Sequence, residues 1–133
     1  MQRTIEIKKV RGRWTVTVLN PLGSIKKHTK LFRGDKVTWK LYADPAHPRR
    51  KVSARLQFCH DKLVKGPGLT RDWTAAIGPT SGSGPKSLTL GIHHEATRKK
   101  KHYYAVWVCD PALHKGGTYA VGHNPPPEID VGP

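Results

Sequence analysis

The feature that most constrains this chain is an alternation of apolar and polar residues with a period of two, in short runs cut apart by glycine, proline and charge. Successive side chains of an extended strand point to opposite faces, so each run describes a strand with one buried and one wet face. Runs of this kind fall at residues 4–9, 13–19, 36–42, 52–58, 87–92, 103–108 and 118–121, with a last one at 129–131. Within 37–41 the pattern turns Val37, Trp39 and Leu41 to a core and Thr38 and Lys40 to water.

The connections carry turn chemistry. Val10-Arg11-Gly12 joins the first two runs, and its glycine suits the positive φ of a tight hairpin. Asn20-Pro21-Leu22-Gly23 and Arg33-Gly34-Asp35 are further turn signals. Residues 65–86 hold Gly66-Pro67-Gly68 at one end and a Gly/Pro/Ser-rich stretch at 78–85, which predicts a long loop with a short helical turn near 73–77. A proline-rich C-terminal tail, 124–133, opens with Asn124-Pro125-Pro126-Pro127. With 36% hydrophobic residues in 133, the chain can bury one core and hardly two. The expectation is all-β: a single Greek-key β-sandwich domain, 1–133, of about seven or eight strands.

Charge narrows the partners. Lys and Arg number 24 against 9 Asp and Glu, a formal net charge of +15, and such a field draws in polyanions. Nucleic acid, an acidic protein face and an anionic membrane surface all answer to it. The basic residues cluster in three runs set between strands: Lys26, Lys27 and Lys30; Arg49, Arg50 and Lys51; and Arg98, Lys99, Lys100 and Lys101. The N-terminus alternates polar and apolar residues without the apolar stretch of a signal peptide, and no apolar run approaches a bilayer span, which predicts a cytoplasmic protein.

One segment invites comparison with a family. In Tyr103-Tyr104-Ala105-Val106-Trp107-Val108-Cys109 a strand ends in a cysteine; Asp110-Pro111-Ala112-Leu113-His114 then supplies a histidine, and a new strand follows at Thr118. Phe32-Arg33-Gly34-Asp35-Lys36-Val37-Thr38-Trp39 is a Gly-Asp turn leading into a core strand. Together these resemble the cupredoxins, the small blue-copper β-sandwiches, in layout over residues 30–131. The resemblance implies a cupredoxin-like fold and a copper site from His47, Cys109 and His114. It departs from the family at the axial ligand: Thr118 stands where the long-loop pattern puts methionine, and the only methionine is Met1. A trigonal copper site also tolerates cations poorly, and His47 is followed closely by Arg49, Arg50 and Lys51. The metal site therefore reads as degenerate.

Other constellations carry less. Cys59-His60 and His93-His94 are adjacent pairs, and strand neighbours face opposite ways, so neither chelates an ion alone. Gly84-Pro85-Lys86-Ser87 breaks a phosphate-loop order with a proline that removes a backbone donor. No close acidic pair or Gly-x-Ser-x-Gly context marks an enzyme. The reading is a non-catalytic basic module without a cofactor, contacting nucleic acid or an acidic protein assembly. Its rivals are a copper-binding electron-transfer or copper-handling protein and a structural subunit of a larger assembly.

Overall fold

The computed structural model describes residues 2–19, 25–26, 29–59, 62–82, 84–121 and 127–133. Twelve strands form two sheets: β1 Gln2–Val10, β2 Arg13–Leu19, β3 Ile25–Lys26, β4 Thr29–Leu31, β5 Lys36–Leu41, β6 Val52–Phe58, β7 Val64–Lys65, β8 Thr74–Thr80, β9 Lys86–Ile92, β10 Lys100–Cys109, β11 Gly117–Tyr119 and β12 Glu128–Val131. The first sheet has the order β3-β2-β1-β5-β9-β7 and the second β4-β12-β10-β6-β8, with β11 also paired to β10. Two neighbours run parallel, β1 with β5 and β12 with β4; the remaining pairs are antiparallel. From β3 to β10 every connection passes from one sheet to the other, so the two layers are woven together by the chain itself.

The alternation in the sequence is what builds the core. β2 buries Trp14, Val16 and Val18, and β6 buries Val52, Ala54, Leu56 and Phe58, each at every second position. Trp39 of the first sheet meets Phe58 and Tyr104 of the second in edge contacts at 5.8 and 5.9 Å. The Trp39 indole N–H donates to the Tyr104 hydroxyl at 3.2 Å, which satisfies both polar groups inside the core. Burial pushes the Tyr104 phenol upward, with the indole hydrogen bond acting in the opposite sense. Thr38 departs from the expected wet position: it is buried on the outer face of the first sheet, between Thr89 at 2.8 Å and Gln2 at 2.9 Å.

The expected loop at 65–86 is corrected. Thr74–Thr80 is a seven-residue strand paired with β6, and no helical turn occupies 73–77. Ala75 and Ile77 face the core and Ala76 faces out, a weak alternation of small residues that the Gly78-Pro79 pair disguises. Proline is tolerated because β8 is an edge strand. Gly78 has φ +99, and a Cβ there would stand 3.1 Å from the Val52 carbonyl oxygen, so this irregular point of the ladder needs glycine. The last expected run, 129–131, is met within the C-terminal tail. Residues 124–126 lie outside the described residues, whereas Glu128–Val131 is an interior strand between β4 and β10. Among the described residues no helix is long and apolar enough to cross a membrane.

Candidate functional site

The two loops that the sequence suggested for a metal do meet at one end of the sandwich, but around a different centre. Asp44 and Asp110 are 2% and 0% exposed, and the Arg50 guanidinium reaches both, at 3.9 and 3.7 Å. Lys9 donates to Asp44 at 3.1 Å, and the Trp14 indole N–H donates to Asp110 at 3.3 Å. Each aspartate begins the same Asp-Pro-Ala turn: Oδ1 of Asp44 accepts from the Ala46 N–H at 3.0 Å, and Oδ1 of Asp110 from the Ala112 N–H at 3.1 Å. Burial opposes ionisation of Asp44, but the Ala46 N–H and the Lys9 ammonium outweigh it, so its carboxyl titrates below the usual range. The repeated Asp-Pro-Ala is the sequence signal that could have announced this pair.

Strand parity and exposure place His47, Cys109 and His114 apart from one another's ligand atoms among the described residues. In β10 the buried positions are His102, Tyr104, Val106 and Val108, and Asp110 continues that row inward. Cys109 therefore lies in the outward row, while His47 and His114 are exposed on turns. Among the described residues, the group of His, Cys, Asp and Glu able to converge on one ion is His93, His94 and Glu95 instead. Contrary to the strand argument, His93 and His94 sit just beyond β9, where their rings stack at 4.5 Å. Their donors are engaged, however: His93 Nδ1 accepts the Glu95 N–H at 3.0 Å, and Glu95 pairs with Lys62 at 2.8 Å. Burial, joined by the charges of His94, Lys62 and Lys65, holds the His93 imidazole below its ordinary pKa. Lys62 pairs with Glu95, which places a positive charge beside the cluster. Cys59 and Cys109 are free thiols near opposite ends of β6, about 20 Å apart at about 3.4 Å per residue, well beyond disulfide reach.

The same parity puts a different set of residues on the outer face of the second sheet. β10 presents Lys101, Tyr103, Ala105, Trp107 and Cys109; the line of β6 presents Lys51, Ser53, Arg55, Gln57 and Cys59. Trp107 is opposite Arg55 on one side and Tyr119 of β11 on the other, and Ala105 is opposite Gln57. Arg55, Gln57, Ala105, Trp107 and Tyr119 line a depression of about 360 Å³. A second hollow of about 350 Å³ lies on the far side of Tyr119, lined by Ala105, Val121 and Pro127 among others. Tyr103 and Tyr119 are 49% and 63% exposed. Trp107 is half-buried on this outer face.

The predicted cations divide between this face, its ends and the interior. Lys101 and Lys30 flank Asp130 in one row across β10, β12 and β4, and Lys101 lies 4.0 Å from Glu128. Arg98, Lys99 and Lys100 are exposed where β10 begins. Arg49 and Lys51 are exposed at the other end, before β6. Arg50 is instead engaged with the two buried aspartates. Lys27 lies outside the described residues, and of Lys26 the backbone alone is described, in β3. Arg55 escaped the sequence analysis because it is a lone cation inside a strand. Among the described residues, no carboxylate is within ion-pair distance of Arg49, Lys51, Arg55, Arg98, Lys99 or Lys100.

The opposite outer face, on the first sheet, differs in kind. It carries Thr4, Thr15, Thr17, Thr38 and Thr89; Tyr42 donates to Glu6 at 2.7 Å and Lys8 pairs with Glu6 at 3.2 Å, while Arg13, Lys36 and Lys40 share its outward parity with no carboxylate within ion-pair distance among the described residues.

No protein-family model and no curated protein matches the chain. Among solved structures it is similar to the McoA multicopper oxidase of the hyperthermophile Aquifex aeolicus, with a TM-score of 0.43 and 12% identity over 100% of this chain and 29% of that one. The 2F4 variant of that oxidase gives a TM-score of 0.40 and 13% identity, over 99% of this chain and 29% of the other. The chain spans less than a third of the length of either oxidase.

Proposed function

We propose that this protein is a non-catalytic, cupredoxin-like binding module that holds nucleic acid against the outer face and ends of its second sheet. The observation that carries this reading is the set of cations on and beside that sheet that lack a carboxylate partner among the described residues. Arg55 and Lys51 lie on that face, and Arg49, Arg98, Lys99 and Lys100 stand at its two ends. The acidic residues elsewhere are largely consumed: Asp44 and Asp110 are buried with Arg50, Glu6 serves Tyr42 and Lys8, and Glu95 serves Lys62. Much of the +15 charge surplus therefore reaches solvent, and part of it lies where a polymer can lie flat. Contacts of this kind go to the phosphate backbone, so they position a nucleic acid without reading its sequence.

The test is the salt dependence of binding. Replacing Lys99, Lys100 and Lys101 together by glutamine removes the charge that would neutralise up to three phosphates. The slope of log K against log salt should flatten by about 2, at roughly 0.7 to 0.9 for each phosphate no longer neutralised. An unchanged slope in fluorescence anisotropy, with an unchanged elution point on a polyanion column, would sink the role given to this run.

A further inference from the structure

Resting on that reading, we infer that the polymer is single-stranded, with bases stacking on Tyr103, Trp107 and Tyr119 while Arg55, Lys51 and Lys101 hold the phosphates beside them. The aromatics are the reason. Charge alone explains attraction to any polyanion, but it does not explain two tyrosines, 49% and 63% exposed, sharing a sheet face with a half-buried tryptophan. Exposed rings gathered in one place mark an interaction surface, and every base offers a π-face to such rings.

The geometry of the rings selects an unpaired strand. Trp107 and Tyr119 are cross-strand neighbours whose rings meet edge to face, with centroids 4.8 Å apart and planes at 79°. Bases stacked on both would be turned nearly perpendicular to each other, so the backbone must bend sharply between them. A single strand can do this, whereas the bases of a duplex stay parallel and covered.

The platform is also preformed. A Cβ on Gly117 would stand 2.6 Å from the Trp107 indole nitrogen and 2.5 Å from the Val108 carbonyl oxygen, so the bare backbone of Gly117 forms a wall against the indole. Ala105 supplies a small residue between Tyr103 and Trp107, and it lines both hollows that flank Tyr119. At about 360 and 350 Å³ each hollow reaches the lower size of a small-ligand pocket, roughly 300 Å³. Polar groups at the first hollow are complementary. Gln57 already donates its amide N–H groups to the Phe58 and Asp72 carbonyls, at 3.1 and 3.0 Å, and so offers its oxygen as an acceptor for an exocyclic amine. Arg55 offers donors. From Lys101 to Lys51 the face runs on the order of 30 Å at about 3.4 Å per residue, consistent with a site in the range of about 4–16 nucleotides.

The experiment is fluorescence anisotropy with labelled dT12, rU12 and a 12-base-pair duplex, each over a series of salt concentrations. Wild-type protein is compared with Tyr119→Ala, Tyr103→Ala and Arg55→Gln, all exposed positions whose loss leaves the core intact. The expected result is at least tenfold tighter binding of one of the single strands than of the duplex. Tyr119→Ala should weaken single-strand binding about tenfold with an unchanged salt slope, whereas Arg55→Gln should flatten the slope. Equal affinity for single strand and duplex, with tyrosine variants that bind like wild type, overturns the single-strand inference and leaves the electrostatic reading standing. Failure of wild-type protein to bind either form at 50 mM salt overturns the electrostatic reading as well. Saturable binding to a neutral glycan array that Tyr119→Ala abolishes, without nucleic-acid binding, overturns both and reassigns the aromatic face to sugar rings.

Discussion

Replacing Arg50 by methionine keeps the aliphatic stem and removes the guanidinium that faces Asp44 and Asp110 at 3.9 and 3.7 Å. At an effective dielectric constant of about 20, each such approach carries about 4 kcal/mol of gross attraction. Much of this is offset, because the Arg50 side chain is 25% exposed and is screened on that side. Removing one partner of a fully buried pair costs about 3–5 kcal/mol, and a partly open one should cost roughly 2. Asp44 retains Lys9 and the Ala46 N–H. Asp110 is left with the Trp14 and Ala112 N–H groups and no cation within 4 Å among the described residues. The loss should therefore couple mainly to Asp110, and in an Asp110→Asn background Arg50→Met should cost about 1 kcal/mol less than in wild type. Urea titration followed by tryptophan fluorescence reads both numbers; with a slope of about 2 kcal/mol per molar, Arg50→Met should lower the midpoint by about 1 M. A shift below about 0.2 M, or the same shift in both backgrounds, would refute the claim that Arg50 neutralises buried carboxylates.

Further outcomes follow from other contacts. Because the folded pKa of Asp44 is depressed, its contribution to stability is present above the ordinary carboxylate range, near pH 4, and is lost as pH falls through the folded value. Lys9→Met should remove part of this acid-side loss in a plot of urea midpoint against pH. Tyr104→Phe leaves the buried Trp39 indole N–H without an acceptor and should cost about 1–3 kcal/mol in the same assay, although almost no volume is lost. Gly78→Ala forces a side chain into φ +99 against the Val52 carbonyl and should cost about 1–3 kcal/mol, with β8 amides showing the largest gain in hydrogen exchange. Added Cu(II) should produce no intense visible thiolate band, and Cys109→Ser should leave the spectrum unchanged; an intense band lost in that variant would show that the loops rearrange to gather His47, Cys109 and His114.

Strands that alternate cleanly are legible to the residue. β2 and β6 occupy the stretches their alternation marks, because one parity is apolar and the other polar. β8 was not legible, since Ala75, Ala76, Gly78 and Pro79 carry little strand preference and depend on pairing with β6 to be extended. Alternation leaves the facing of Trp107 undetermined. Tyr103-Tyr104-Ala105-Val106-Trp107-Val108 is apolar at both parities, so alternation cannot say which row faces in. That one ambiguity hid the aromatic face and made Cys109 look like an inward ligand. The basic runs were visible as composition, but their pairing was not: that Arg50 turns inward while Arg55 does not depends on Asp44 and Asp110, distant in sequence and brought together only by the fold.

The margins of the two sheets bear on how such a protein behaves when many copies crowd along one polymer. Three of the four outermost strands, β3, β4 and β7, have two or three residues, and the fourth, β8, carries Pro79. The three short strands offer a neighbour little ladder to continue, and Pro79 removes one donor from β8. Copies brought close together thus meet mostly short sheet margins, which limits how far one sheet can be continued by the next.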